Sequence, residues 1–491
     1  MSKKVVIIGS GFAGLSAACY LAKNGYKVTV LEKNKVAGGR ARKMEVEGYN
    51  FDMGPSWYWM PEVFENFFAH FGKKVSDYYE LIRLDPAYKI IFGKGEELAV
   101  PAGMKELKAL FEEYEPGSAA KLEHFLKEAE YKYKVGMGEF VFKPGLSVME
   151  FADTRVLASM FRLQMLNSMS GHVEKLFKNE KLRQLLKFPV LFLGATPEDT
   201  PAMYSLMNYA DLSLGTWFPK GGMYKIVEAM LSLAQELGVT VLTSHTVKSI
   251  FVSNGTAKKV ISDQGDYEAD IVVGGADYHH VEQHLLSPEN RVYSEKYWAG
   301  RTMAPSSLLF YLGVNKKLDN LLHHNLFFDA DFKKHAEEIY KKPAWPSKPL
   351  FYSCIASKTD QSSAPIGHEN VFLLLPTAPG LKDSPEIREH YYDIMMDRME
   401  DLSGQSIRDS VDFKMSYAHT DFIKDYNAYK GNAYGLANTL KQTAILKPKL
   451  RSSKVANLFY TGQLTTPGPG VPPALISGQV VASEIFKKYK P

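Results

Sequence analysis

Residues 3–33 read KKVVIIGSGFAGLSAACYLAKNGYKVTVLEK. Two lysines, an apolar run and small residues are also the marks of a secretory leader. The glycines exclude that reading. Gly9, Gly11 and Gly14 form G-x-G-x-x-G directly after the β-branched run Val5–Ile8. Leu15 to Asn24 has no Gly or Pro and predicts a helix, Gly25 stops it, and Lys27–Leu31 alternates as a strand. Glu32 stands 18 positions beyond Gly14, at the end of that second strand. Each part has a task in a βαβ unit holding a dinucleotide. Gly9 permits the tight turn, Gly11 lets backbone approach a pyrophosphate, and Gly14 lets helix and sheet pack closely. The helix N-terminus faces the phosphate charge, and Glu32 accepts hydrogen bonds from the adenosine ribose.

The bulk of the chain agrees with a soluble enzyme-sized protein. Its 491 residues exceed one ordinary core, so two or three domains are expected. With 45% hydrophobic and 23% charged residues it is not a disordered chain. A net charge of +4 without an arginine-rich tract points away from nucleic acid. The two cysteines, Cys19 and Cys354, supply neither a disulfide framework nor a metal-ligand spacing, which makes a reducing, cytoplasmic setting the default. No apolar run is long enough for a transmembrane helix.

Six positions past Glu32 comes Gly38-Gly39-Arg40. Its glycines let backbone pass close to something bulky, and Arg40 offers a fork of donors to phosphate or ribose oxygens. From about residue 61 to 210 the pattern predicts helices, with Leu122, Phe125, Leu126, Ala129 and Tyr133 as one apolar stripe. A segment studded with Lys175, Lys178, Lys181, Arg183 and Lys187 fits either a domain helix or a basic amphipathic helix on an anionic membrane. A βα pattern returns at GTWFPKGGMYKIV, with a helix from about Met223 to Glu236 and strands at Val239–Leu242 and Ile271–Val273. The C-terminal stretch gives a strand, Leu458–Tyr460, a loop dense in Gly and Pro, and a helix from about Pro473. If that strand joins the first sheet, residues 1–70, 215–300 and 431–491 form a discontinuous nucleotide domain. Residues 71–214 and 301–430 then form the substrate domain.

Together, Gly38-Gly39-Arg40, FDMGPS at 51–56, WFPKGGM at 217–223 and YTGQLTTPGPGVPPALISG near the end resemble the flavin-dependent carotenoid desaturases of the bacterial phytoene desaturase type. They resemble the amine oxidases more distantly. The likeness runs along the whole chain in order. It implies an α/β fold: a Rossmann-like FAD-binding domain of the glutathione reductase/amine oxidase type, an inserted mixed α+β substrate domain and a helical membrane-facing region. It implies that Gly9, Gly11, Gly14, Glu32, Gly38, Gly39 and Arg40 hold the ADP part of FAD. Val247 edges the adenine, and the loop from Gly462 to Val471 lies beside the flavin ring. Where this chain has GQLTTPGPGVPP and Gly221-Gly222-Met223, phytoene-acting members usually show different residues. That difference leans toward the late-acting 1-hydroxycarotenoid 3,4-desaturase subgroup, with desaturation of phytoene to lycopene as the alternative.

The implied chemistry needs a hydride acceptor and loss of a proton, and the flavin carries it. No Ser-His-Asp, paired-carboxylate or metal constellation stands out, so no catalytic side chain is named. Asp211 and His172 are minor candidates for a base. His279-His280 and His323-His324 read as loop or surface histidines, since adjacent residues on a strand point to opposite faces. A carotenoid would come from the bilayer, so peripheral association with the inner face of the cell membrane is expected, with quinone or oxygen as electron acceptor. Rival readings are a polar-substrate flavin oxidase, a flavin-dependent carotenoid isomerase and a non-enzymatic lipid escort.

Overall fold

The computed structural model describes residues 2–151, 163–164, 167–193, 196–439 and 442–491. The opening stretch folds as β1 (Lys4–Ile8), α1 (Phe12–Lys23) and β2 (Lys27–Leu31). The helix begins three residues before the predicted Leu15. Gly11 has extended backbone and acts as its N-cap, so the whole of FAG already lies in the first turn. Every α1 residue from Phe12 to Leu21 is buried. Such a helix is covered on all sides rather than lying on a surface.

What covers it comes from far along the chain. The parallel sheet takes in β3 (Thr240–Leu242) after the helix α2 (Tyr224–Glu236), then β4 (Ile271–Gly274) and β5 (Leu458–Tyr460). Its order is β5-β4-β1-β2-β3. Valines and isoleucines on both faces suit a sheet buried on both sides. On one face lie α1, α2 and the closing helix α3 (Val471–Lys488), sharing a core with Leu15, Ile226, Met230 and Val480. Each such side chain, fully buried, contributes roughly 1.5–3 kcal/mol. On the other face a three-stranded antiparallel sheet (Val247–Ser253, Thr256–Ser262, Gly265–Glu268) packs with Trp298 and Tyr460.

α3 sits against α1 with no room to spare. A Cβ added to Gly478 would lie 2.5 Å from the Ala13 carbonyl oxygen and 2.6 Å from Ser16 Cβ. Ser16 Oγ donates to Leu475 O at 2.7 Å, across the same contact.

Between these pieces runs a seven-stranded mixed sheet, in the order Val411–Tyr417, Ser306–Val314, Glu369–Thr377, Phe351–Cys354, His324–Phe327, Tyr88–Gly93, Glu96–Val100. The last two strands lie inside the stretch expected to be helical. They form a hairpin through Lys94-Gly95, a turn followed by alternating burial in Glu96–Val100. The helix Pro385–Ser403 covers one face with Tyr391, Met395, Met396 and Met399.

A helical layer completes the molecule. The predicted stripe Leu122–Tyr133 is buried along the helix Ser118–Val135. In the lysine-rich segment, the helix Glu180–Lys187 turns Leu182, Leu185 and Leu186 wholly into the core. Lys181 pairs with Glu96 at 3.0 Å and Lys187 with Glu174 at 2.6 Å. That helix therefore has no apolar face to offer a membrane, and its domain-helix reading holds. Among the described residues no helix is long and apolar enough to cross one.

Candidate cofactor site and apolar cavity

The three glycines of the opening motif are required for three different reasons. Gly9 has φ +98°, a left-handed conformation that disfavours any side chain. A Cβ on Gly14 would fall 2.2 Å from the Gly9 carbonyl oxygen, so helix and turn touch backbone to backbone. Gly11 differs: an added Cβ there meets nothing within 4 Å. The protein leaves open space at the N-terminus of α1, where no side chain caps the free N–H groups.

Glu32 is buried at the tip of β2. Its Oε2 accepts from Ser10 N at 3.0 Å and Ser10 Oγ at 2.7 Å, and its Oε1 from Asn34 N at 2.9 Å. These bonds fix the carboxylate and leave Oε1 with acceptor capacity for a ribose hydroxyl. His245 N–H donates to Glu32 O at 2.8 Å, which lays the segment leading into buried Val247 along the same edge.

Gly38-Gly39-Arg40 folds back over the turn. Gly38 N–H donates to Ser10 O at 3.1 Å, and a Cβ on Gly39, at φ +57°, would stand 3.2 Å from Gly11 Cα. Arg40 is held by its Nη2 bond to Asn432 O at 3.2 Å and lies over the Tyr426 ring. Its buried Nε has no partner among the described residues. Asn432 Oδ1 accepts from Gln463 Nε2 at 3.3 Å, linking Arg40 to the C-terminal loop. There Gly462, φ +111°, sits over Ala13, and its N–H donates to Ser477 Oγ at 3.0 Å. Val471 is the first residue of α3, two before the predicted Pro473, and Gly470 at its N-cap again offers no side-chain bond. Two uncapped helix N-termini, an unpaired buried guanidinium N–H and a fixed acid form a donor and acceptor set that fits FAD.

Sequence reasoning quoted two motifs without seeing that they meet. Asp52 of FDMGPS accepts from Met223 N at 2.7 Å and Tyr224 N at 2.9 Å, at the start of α2. Gly222, φ +93°, is required because a Cβ would lie 2.8 Å from Asp52 Oδ2. Asp360 Oδ2 takes the Gly221 N–H at 2.7 Å. Burial pushes the Asp52 carboxyl up to about 6, against the lowering effect of its two backbone N–H donors. Gly54 of the same motif passes over Arg40: its Cβ would be 2.3 Å from Arg40 O.

Behind this lies an aromatic layer. An apolar cavity between the seven-stranded sheet and the helix Phe332–Tyr340 is lined by Phe188, Leu326, Phe328, Ile339, Tyr352 and Leu374, with almost no polar surface. Neither candidate base opens onto it. Asp211 is buried, and both its oxygens are taken: Oδ2 by Tyr88 OH at 2.7 Å, Oδ1 by Thr216 Oγ1 at 3.2 Å. Burial pushes it up to about 7. His172 stacks on Phe125 in the helical layer, 3.4 Å from Glu128 Oε2, and burial brings it down to about 4.

The histidine pairs are not surface residues. His279, His323 and His324 are buried and His280 is half-buried. His279-His280 lie in a short helix. His323 precedes its strand, so the alternation argument fails and the two rings come within 4.4 Å of each other. Cys354 is buried beside them.

Comparisons with known proteins give the family. The family model for flavin containing amine oxidoreductases matches residues 12–486. The chain is 43% identical over 485 residues to the carotenoid 3,4-desaturase of Haloarcula japonica, covering 98% of each. It is 31% identical to the zeta-carotene-forming phytoene desaturase of Myxococcus xanthus, covering 99% of this chain and 94% of that one. An oxidoreductase structure from Methanosarcina mazei superposes with a TM-score of 0.61 at 16% identity, covering 99% and 100%.

Proposed function

The chain belongs to the flavin containing amine oxidoreductases and, within them, to the carotenoid desaturases; from that premise we propose that it desaturates the 3,4 bond at one end of an already conjugated, hydroxylated C40 carotenoid. It is an FAD-dependent oxidoreductase acting on CH–CH groups. The observation that carries the 3,4 position is the 43% identity spread over 98% of both chains, against 31% for the phytoene-acting relative.

When bound, FAD supplies the two-electron acceptor for hydride loss from an allylic carbon. The chain's own residues do the positioning. Glu32 and the free N–H groups of α1 hold the adenosine and pyrophosphate end, and Arg40 closes over it. The N-terminus of α3 favours negative charge on the far end of the cofactor. The cavity around Phe328 and Tyr352 would take the end of the polyene and exclude water. The accompanying proton is assigned to no side chain, since neither Asp211 nor His172 lines the apolar cavity. For the electrons we propose a quinone or oxygen as the final acceptor.

Membrane delivery is assigned to a different face from the lysine-rich helix. Phe142, Met149 and Leu446 are exposed, Met149 to 78%, and their loops are tied together by Lys449 Nζ donating to Gly145 O at 2.7 Å. This cluster reads as a peripheral lipid contact.

The test is anaerobic. Protein loaded with FAD is mixed with liposomes carrying either phytoene or a hydroxylated γ-carotene, and flavin absorbance is followed with the carotenoid spectrum. Bleaching with a red-shifted product from the conjugated carotenoid alone is expected. Bleaching only with phytoene moves the enzyme to the early step, and no bleaching with either overturns the reading.

A further inference from the structure

Outside the cofactor site, one cluster of donors has no task in the reaction just described. His324 and Cys354 are direct cross-strand partners in the antiparallel pair His324–Phe327 and Phe351–Cys354, and His323 stands immediately before the first of these strands. One nitrogen of each ring and Sγ of Cys354 all lie within 4.8 Å of one another, and all three residues are buried.

One nitrogen of each ring is engaged by a hydroxyl. His324 Nδ1 is hydrogen-bonded to Tyr352 OH at 2.6 Å, and Tyr352 OH in turn lies 3.0 Å from Ser56 Oγ. His323 Nδ1 makes the same kind of bond to Thr359 Oγ1 at 2.7 Å. The Nε2 atoms of both rings are buried without a hydrogen-bond partner among the described residues. Buried polar atoms are almost always satisfied, and leaving two of them bare is costly. A hydroxyl that holds one nitrogen and so orients the ring, with the second nitrogen free of hydrogen bonds, is the outer support a metal-binding histidine uses.

We propose that His323, His324 and Cys354 form a binding site for a soft or borderline d10 cation, Zn²⁺ or Cu⁺. The donor set is two imidazoles and a thiol with no carboxylate, which disfavours Mg²⁺ and Ca²⁺. Binding displaces the Cys354 thiol proton to solvent, and no electron is transferred. A cavity of about 20 Å³, lined by Asp52, Ser56, Phe218 and Cys354 among others, opens beside the thiol. It is large enough for one water as a further ligand. The ion would tie together the two neighbouring strands that carry His324 and Cys354. Trp57 stacks on His324 with centroids 4.1 Å apart and planes 10° from parallel.

The experiment uses the full chain with FAD bound. The protein is stripped with a chelator, loaded with Zn²⁺ or, anaerobically, with Cu⁺, desalted, and its metal and flavin counted by mass spectrometry and absorbance. About one equivalent of one of these metals per chain is expected, with X-ray absorption showing one sulfur at about 2.3 Å and nitrogens at about 2.0 Å for Zn²⁺. Cys354→Ser and His323→Gln should each cut metal retention at least about tenfold while flavin content is kept, and Cys19→Ser should change nothing. Wild type that retains neither metal overturns the proposal, as does metal retained equally by Cys354→Ser or a bound-metal spectrum without sulfur.

Discussion

Gly14 and His324 are both buried, but what surrounds them was chosen at very different distances along the chain. Gly14 is fixed by Gly9, five residues earlier, through a backbone contact that excludes any side chain. His324 is surrounded by Trp57, Tyr352 and Cys354, brought together by a sheet whose strands come from both halves of the sequence. The cofactor end is thus specified by what must be missing, a Cβ at each of a few positions. The sheet interior around His324 is specified by which bulky and polar groups long-range pairing places side by side. The first kind of site tolerates no substitution but is easily read, and the second tolerates more and hides its contacts.

Two glycine variants separate these rules most sharply. Gly14→Val drives a side chain into the Gly9 carbonyl and should cost about 3 kcal/mol or more, with loss of soluble folded protein. Gly11→Ala meets open space and should fold with its melting temperature unchanged when measured without FAD. Its FAD affinity should still fall at least about tenfold, because the methyl group occupies the cofactor's place. Flavin-quenching titration measures this. Wild-type affinity in Gly11→Ala would break the idea that the gap belongs to the cofactor. Next in size is Glu32→Ala, which removes a charged acceptor and strands the Ser10 N–H. A loss of about 1.5–3 kcal/mol in FAD binding is expected in the same titration.

Asp211→Asn sharpens the other half of the comparison. Burial raises the Asp211 carboxyl to about 7, so between its unfolded value and 7 the folded chain binds more protons than the unfolded one. Stability from this residue is present at low pH and is lost as pH rises towards 7, by up to about 1.4 kcal/mol per unit. The asparagine variant should lack that slope, read as the wild-type minus variant melting temperature across pH 4–8. A flat difference would show that Tyr88 and Thr216 hold the ionised form without penalty. Smallest of all, neutralising Lys175, Lys178 and Lys181 together should leave binding to anionic liposomes unchanged, whereas Phe142→Ser with Met149→Ser should weaken it. Sedimentation with vesicles distinguishes the two surfaces, and the reverse result returns the contact to the lysine-rich helix.

The βαβ unit, its acid and the return of the C-terminal strand to the first sheet were legible because glycine spacing and β-branched runs are local signals. Strand pairing was not. The hairpin Tyr88–Val100 was hidden within a stretch whose dominant period is helical, while the three leucines of Glu180–Lys187 were legible as an apolar face and only their receiver, core or membrane, was left open. Asp52 was quoted inside a motif, yet nothing in the sequence says that it receives the N–H groups of Met223 and Tyr224, 171 and 172 residues on. The histidine pair was misread for a geometric reason: alternation applies within a strand, and His323 lies one residue before it.

The contact of Gly478 with Ala13 and Ser16 also has a meaning in time. α1 leaves the ribosome about 450 residues before α3, and at ordinary synthesis rates that interval is roughly 20–90 s. Throughout it, the face of α1 that will touch α3 has no partner, and the second of the two uncapped helix ends does not exist. The early βαβ unit can form its turn, but a complete cradle for FAD appears only as the last helix docks. Cofactor capture is therefore one of the closing events in making this enzyme.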